Sequence, residues 1–187
     1  MTLYIPTVYL IRHATPDWSR TDIPYHIPPG PPLTTQGESE AQQLGRFLWE
    51  AGVRLIYASP LERAWRTAEI AAGIAGASLW QELSLAEWRP EEKAEHVRAR
   101  VWPAWEHASA LSHQAGPIAL VTHGGPVGLL LEDLGLPPRE IAEYKRRFDR
   151  NNPAPPAGAW KASRLALAAN WDLSLAFTPE RTVALAS

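Results

Sequence analysis

No cysteine occurs among the 187 residues, which excludes disulfides, thiolate metal sites and cysteine nucleophiles. Long apolar runs are missing as well; none approaches the roughly 20 residues a helix needs to cross a bilayer. Neither sign of charge is in excess, since 18 Lys+Arg stand against 20 Asp+Glu for a net charge of −2. A surface that is basic throughout, as nucleic-acid binding would need, is therefore excluded, although a local anion site is not. The first nine residues lack a basic segment and carry proline at position 6, unlike a secretory signal. The expectation is a cytoplasmic protein with neither membrane nor nucleic-acid partners. There is no P-loop or G-x-G-x-x-G motif, and His96, His107 and His113 lack zinc-ligand spacing.

What remains is ordinary globular composition, 45% hydrophobic and 20% charged. The length suits one domain over residues 1–187 with a real core. Nine tryptophans and 18 prolines are the compositional biases. The tryptophans suit core filling and loop stapling, because no basic groove accompanies them.

Val8-Tyr9-Leu10-Ile11 reads as a buried strand, followed by a proline-punctuated stretch from Ala14 to Pro32. Thr35-Gln36-Gly37-Glu38 reads as a capping box, with Ala41, Leu44, Leu48 and Ala51 at helical spacing and Gly52 closing the helix. Val53–Tyr57 is a second strand. Ser59-Pro60-Leu61-Glu62 then starts a helix, with a capping serine and a proline at its first position, running to Gly73 or Gly76. Glu82–Gln114 reads as one or two helices broken near Pro103, and Ile118–Val121 as another buried strand. Helices are expected from Pro126 to Gly135 and over Pro138–Phe148, then late strands at Trp160–Leu167, Ser174–Phe177 and Thr182–Leu185. Alternating strands and helices predict a three-layer α/β/α fold around a mostly parallel sheet.

Ligands in such folds bind beyond the carboxyl ends of the strands. Three polar groups fall at such ends: Arg12-His13, the stretch Ser59 to Arg63, and His123-Gly124. Gly124 and Gly125 would let backbone N–H groups approach an anion closely. Arg63 lies in the first turn of its helix, where the dipole disfavours a cation unless an anion or a carboxylate such as Glu62 or Glu38 shares the site. Lys145-Arg146-Arg147 with Arg150 suits a solvated helix end, with substrate steering as the alternative.

These residues carry a resemblance. Leu10-Ile11-Arg12-His13-Ala14 resembles the L-[IV]-R-H-[GA] signature of the histidine phosphatase superfamily, the phosphoglycerate mutase-like proteins. Pro32-Leu33-Thr34-Thr35-Gln36-Gly37, Ser59-Pro60-Leu61-Glu62-Arg63-Ala64 with Thr67-Ala68, Leu85-Ala86-Glu87 and Val121-Thr122-His123-Gly124-Gly125 are similar to four further motifs of that family, in the same order. The resemblance covers about residues 8–128. It implies a phosphoglycerate mutase-like fold and phosphoryl transfer through a phosphohistidine, without metal or cofactor. His13 would be the nucleophile. Arg12, Arg63, His123 and the Gly124 N–H would hold the phosphoryl oxygens. Glu87 would be the general acid and base, with Glu82 and Glu91 as the alternatives. Ser19 stands where the family often has asparagine, and its hydroxyl would donate to the phosphate.

The partner implied is a small phosphorylated substrate. Only 35 residues (88–122) separate Glu87 from His123, and the longer segment of the mutases is missing. An open pocket admits water, so a phosphatase is expected, with a mutase or a catalytically inactive interaction module as alternatives. The physiological substrate depends on the loop Asp17–Pro32, where Arg20, Tyr25 and His26 are candidate contacts, and on Trp88–His113. A G-x-S-x-G elbow, which an esterase reading of His123-Gly124-Gly125 would need, is absent.

Overall fold

The run Val8-Tyr9-Leu10-Ile11 lies inside β1 (Thr7–Arg12), all six residues of which are buried. Burial on both faces requires a helical layer on each side, and both layers are present. The protein is described by a computed structural model covering residues 4–149, 152–165 and 170–180. β1 is followed by α1 (Thr35–Glu50), β2 (Leu55–Ala58), α2 (Glu62–Ala75) and β3 (Ser78–Gln81). After a 3-10 turn at Leu83–Leu85 come α3 (Ala94–Ala115), β4 (Ile118–Thr122), α4 (Gly124–Asp133), α5 (Pro138–Arg147), β5 (Ala159–Ser163) and β6 (Asp172–Phe177). The sheet order is β3-β2-β4-β1-β5-β6. The β1/β4, β2/β4 and β2/β3 pairings are parallel, whereas β5 and β6 run antiparallel.

Alternation along the strands divides the core. Val8, Leu10, Ile118, Leu120 and Trp160 face α3 and α4, packing on Val97, Val101, Trp105 and Leu130. Tyr9, Ile11, Ile56, Ala119 and Val121 face α1 and α2. Those two helices meet through small residues: a Cβ on Gly45 would lie 2.8 Å from the Ile74 Cβ, so the close approach depends on that glycine. No helix among the described residues is long and apolar enough to cross a membrane.

Several boundaries differ from the sequence expectation. The cap of α1 is Thr34, whose hydroxyl accepts from the Gly37 N–H at 3.0 Å. That puts Gly37 where the box needs a glutamate, and Gly37 is required there because a Cβ would meet Thr15 O at 2.2 Å. Ser59 does not cap α2, which starts at Glu62 after Leu61; its hydroxyl is held by His123 instead. α2 ends at Ala75, with Gly76 in the left-handed conformation at φ 62°. α3 runs unbroken through Pro103, which sits on the exposed face, so the carbonyl deprived of a partner can turn to water. α4 begins at Gly124 rather than Pro126; proline is tolerated in the first turn, where N–H groups have no partner within the helix. The edge strand β3, short and largely exposed, is missing from the sequence reading, which lacks an apolar run there. β5 stops at Ser163 and β6 starts at Asp172. The expected strand Thr182–Leu185 and residues 166–167 of another lie outside the described residues.

Candidate active site

Strand register assembles the site. Arg12 pairs with Thr122 across β1 and β4, so the next residues, His13 and His123, emerge side by side with ring centroids 5.2 Å apart. β2 lies on the other side of β4, with Ala58 opposite Val121, which delivers Ser59 to His123: Oγ and Nε2 are 2.7 Å apart. Arg63 follows on the first turn of α2. All four of Arg12, His13, Arg63 and His123 are buried.

Glu87 reaches the same point from the loop after the 3-10 turn. Its Oε2 lies 3.6 Å from both Arg63 Nη2 and His123 Nδ1, beyond hydrogen-bond reach. Arg63 Nε and Nη2, His123 Nδ1 and Arg12 Nε are buried without a hydrogen-bond partner among the described residues. Buried N–H groups left in that state are costly, by about 1–3 kcal/mol each, and an anion carrying several acceptor oxygens would satisfy them together. A cavity of about 620 Å³ opens here, lined among others by Arg12, His13, Glu87, Gly124, Gly125 and Trp18. A Cβ on Gly124 would lie 1.4 Å from Asn152 Oδ1, so any larger residue would have to displace that side chain.

The protonation states follow from burial and neighbours. His13 is held well below the ordinary 6.5, first by desolvation and then by the charges of Arg63 and Arg12. His123 is lowered for the same first reason and by Arg63. His13 is therefore neutral near pH 7. Its Nδ1 lies 2.7 Å from Ala14 O, a carbonyl that can only accept, so Nδ1 carries the hydrogen and Nε2 the lone pair. Desolvation moves Glu87 the other way, above the ordinary 4.5, against the pull of the Trp88 N–H and of Arg63. His13, Glu87 and His123 bring ligand atoms within 4.8 Å of one another, a spacing a metal could use. The two guanidiniums beside them oppose a cation and favour an anion.

Around this centre stand supporting residues, of which Arg100, Glu92, Glu40 and Asp149 belong to no motif read from the sequence. Arg100 of α3 clamps the Glu87 loop, donating to Ser84 O at 2.6 Å, Ala86 O at 2.8 Å and Glu87 O at 3.1 Å. Its other contacts go to Glu92, which the hydrogen bonds from Arg100 hold at a pKa of about 2. Glu40 of α1, itself buried, fixes the loop after His13 by accepting from the Thr15 N–H at 2.8 Å and the Thr15 hydroxyl at 2.9 Å. Thr67 of α2 accepts from the Ala14 N–H, and Thr122 donates to Leu85 O. Asp149 holds Arg12 through Nη1 and Nη2 at 2.8 and 3.0 Å. Thr67 and Thr122 lie within the motifs; the partners of Arg100, Glu40 and Asp149 are backbone groups or residues mostly remote in sequence, so only their polarity beside buried stripes could have marked them.

Ser19 is placed differently from expectation. It is exposed, its hydroxyl and N–H are taken by Asp17 Oδ1 at 2.6 and 3.0 Å, and it is not among the residues that line the cavity. The cause is local turn chemistry, in which an aspartate two residues back captures the serine. Glu82 accepts from the Ser84 N–H, Glu91 is exposed, and Glu87 is the carboxylate that meets the histidines. Of the loop candidates, Tyr25 reaches His13, while Arg20 pairs with Asp22.

The model of the histidine phosphatase superfamily (branch 1) matches residues 8–92 and 78–149. "Probable phosphoglycerate mutase GpmB" of Escherichia coli is 30% identical over 164 residues, spanning 70% of this chain and 75% of that protein. The 2,3-bisphosphoglycerate-dependent phosphoglycerate mutase of Treponema pallidum is 48% identical over 67 residues, 31% of this chain. That match spans about a quarter of the Treponema enzyme (24%). In fold, the chain is similar to the mycobacterial glucosyl-3-phosphoglycerate phosphatase Rv2419c, with a TM-score of 0.70 at 20% identity over 91% of this chain and 97% of that one. From β1 to the end of α5, then, sequence and architecture agree, and the chain belongs to the histidine phosphatase superfamily, branch 1.

Proposed function

We propose that the protein is a phosphatase that hydrolyses a small phosphomonoester through a phosphohistidine on His13. The observation that carries this reading is the set of buried, unpartnered N–H groups on Arg12, Arg63 and His123, grouped around a neutral imidazole and a carboxyl. Four such donors suit the equatorial oxygens of a phosphoryl group, and positioning with electrostatic stabilisation is most of what its transfer needs. In the first step His13 Nε2 attacks phosphorus and the bond to the leaving oxygen breaks, while Glu87 gives that oxygen its proton. In the second step Glu87 takes a proton from water, water oxygen bonds to phosphorus, and the P–N bond breaks to release phosphate. Ser59 accepts the Leu61 N–H at 3.3 Å. In this reading its own hydrogen goes to His123 Nε2, leaving Nδ1–H for a phosphoryl oxygen. The N–H of Gly124, at the start of α4, adds a donor at the positive end of a helix dipole.

Hydrolysis is favoured over mutase chemistry by what lies between Glu87 and His123. Residues 88–122 are taken up by a short loop, α3 and β4, and none of them is among the residues that line the cavity. The names of the sequence relatives favour the second reading, in which the phosphohistidine returns its phosphoryl group to a bound product. Turnover of p-nitrophenyl phosphate, compared with interconversion of 2- and 3-phosphoglycerate primed by 2,3-bisphosphoglycerate, separates the two. The expected result is hydrolysis without appreciable interconversion, and a loss of at least about 10³-fold in His13→Ala. Equal rates in wild type and His13→Ala would remove His13 from the chemistry.

A further inference from the structure

Residues 17–31 place a side chain where the reaction needs space. The Tyr25 hydroxyl lies 3.2 Å from His13 Nε2, the nitrogen that keeps its lone pair. An attacking nitrogen meets its target at roughly 3–3.5 Å, which is the distance the phenol oxygen already occupies. The placement is well built. The Tyr25 ring lies under the Arg63 guanidinium, with Cζ 3.7 Å from its centroid, and its carbonyl accepts from Arg63 Nη1 at 2.7 Å. Trp18 stacks on its outer side at 4.8 Å and 22°. Burial raises the phenol's pKa, so the hydroxyl keeps its proton and donates it to Nε2.

We infer that Tyr25 is a resident competitor for the phosphoryl seat: its phenol caps the nucleophile in the empty site and has to be displaced by the incoming phosphate. This inference rests on reading the site as a phosphoryl site, and it sharpens the substrate class. Orthophosphate brings only its own oxygens to offset the displacement. A phosphomonoester with a sizeable leaving group also gains contact with Trp18, Thr21, Ile23 and Pro24, which line the same cavity. The cap therefore disfavours retention of product and of minimal phosphates, and it selects monoesters whose leaving group reaches that wall.

The test uses the full chain and two probes. Calorimetric titration with orthophosphate is expected to show tighter binding to Tyr25→Phe than to wild type, by about three- to tenfold, the usual worth of one hydrogen bond. Acylation of His13 by diethyl pyrocarbonate, followed by peptide mass spectrometry, is expected to be faster in Tyr25→Phe, with Tyr25→Ala as a second variant. Equal or weaker phosphate binding by Tyr25→Phe would overturn the inference, since the phenol would then be a ligand of the anion rather than its competitor. If orthophosphate bound to no variant and failed to slow acylation of His13, the phosphoryl-site reading itself would fall. The acylation rates of wild type and Tyr25→Phe would still decide whether the phenol caps Nε2, with equal rates deciding against it.

Discussion

Glu87 and His13 are pushed in opposite directions by one cause, the removal of water, because desolvation disfavours whichever form is charged. The carboxyl is raised and the imidazole lowered, which suits an acid and a nucleophile working at the same pH. The sign of the pH dependence follows. In the proposed reaction, formation of the phosphohistidine needs Glu87 protonated and His13 neutral, so kcat/KM is expected to fall as pH rises through the elevated carboxyl pKa, while the acid limb lies well below 6.5. Glu87→Gln should abolish the alkaline limb. It should also lose about 10²- to 10⁴-fold on an alkyl phosphate, the usual range for a general acid, and far less on p-nitrophenyl phosphate, whose leaving group needs no proton. Equal losses on the two substrates would assign the proton to another group. The positions of His13 and His123 were legible in the sequence because each follows directly on a buried strand, and Glu87 was found only through the Leu85-Ala86-Glu87 motif, since it sits in a loop. Ser19 was misplaced because a side-chain contact two residues away outweighed the motif position.

The loop bearing Glu87 has almost no regular structure of its own, and α3 holds it through Arg100. One guanidinium serves three carbonyls and the Glu92 carboxylate, a fork that lysine cannot reproduce. Arg100→Met, and to a similar degree Arg100→Lys, should therefore displace the acid without touching the phosphate donors. The expected result is a loss of roughly tenfold in kcat/KM on alkyl phosphates with little change on p-nitrophenyl phosphate, together with about 1–3 kcal/mol of stability. A uniform loss on both substrates would make Arg100 structural only. Nothing in the spacing of α3 announced this, since Arg98 and Arg100 both alternate with the apolar Val97, Ala99 and Val101 and most of Arg100's partners are main-chain oxygens. The errors at element boundaries share a cause. Thr34 replaced Thr35 as cap, and Ser59 gave up its capping role, because contacts with Thr15 and His123 from distant segments outweighed local preference.

The molecule as a whole carries two buried neutral imidazoles, and its stability should record them. Their folded pKa values lie below the 6.5 of the unfolded chain, so the unfolded chain binds more protons as pH drops. The stability they confer is complete above about pH 6.5 and falls below it, by up to about 1.4 kcal/mol per pH unit for each histidine. Glu87 acts in the opposite sense: its raised pKa means that the folded state takes up its proton first, between that value and 4.5. Urea unfolding between pH 7.5 and 5 should accordingly show a shallower slope in His13→Asn and a steeper one in Glu87→Gln. Unchanged slopes would mean that these groups are not buried as described. The layered fold was legible as a pattern of buried strands and capped helices. The exposed strands β3 and β6 were less so, because strands wetted on one side lack a continuous apolar run, and β5, though buried, is interrupted by Lys161.

The most direct test of the account is to trap the intermediate. Wild-type protein mixed with a ³²P-labelled aryl phosphate and quenched in alkali within one turnover should carry label that survives base and is lost in acid. Peptide mapping should place it on His13, at Nε2. Label on any other residue, or brisk hydrolysis with no labelled protein at any time point and undiminished turnover in His13→Ala, would contradict it.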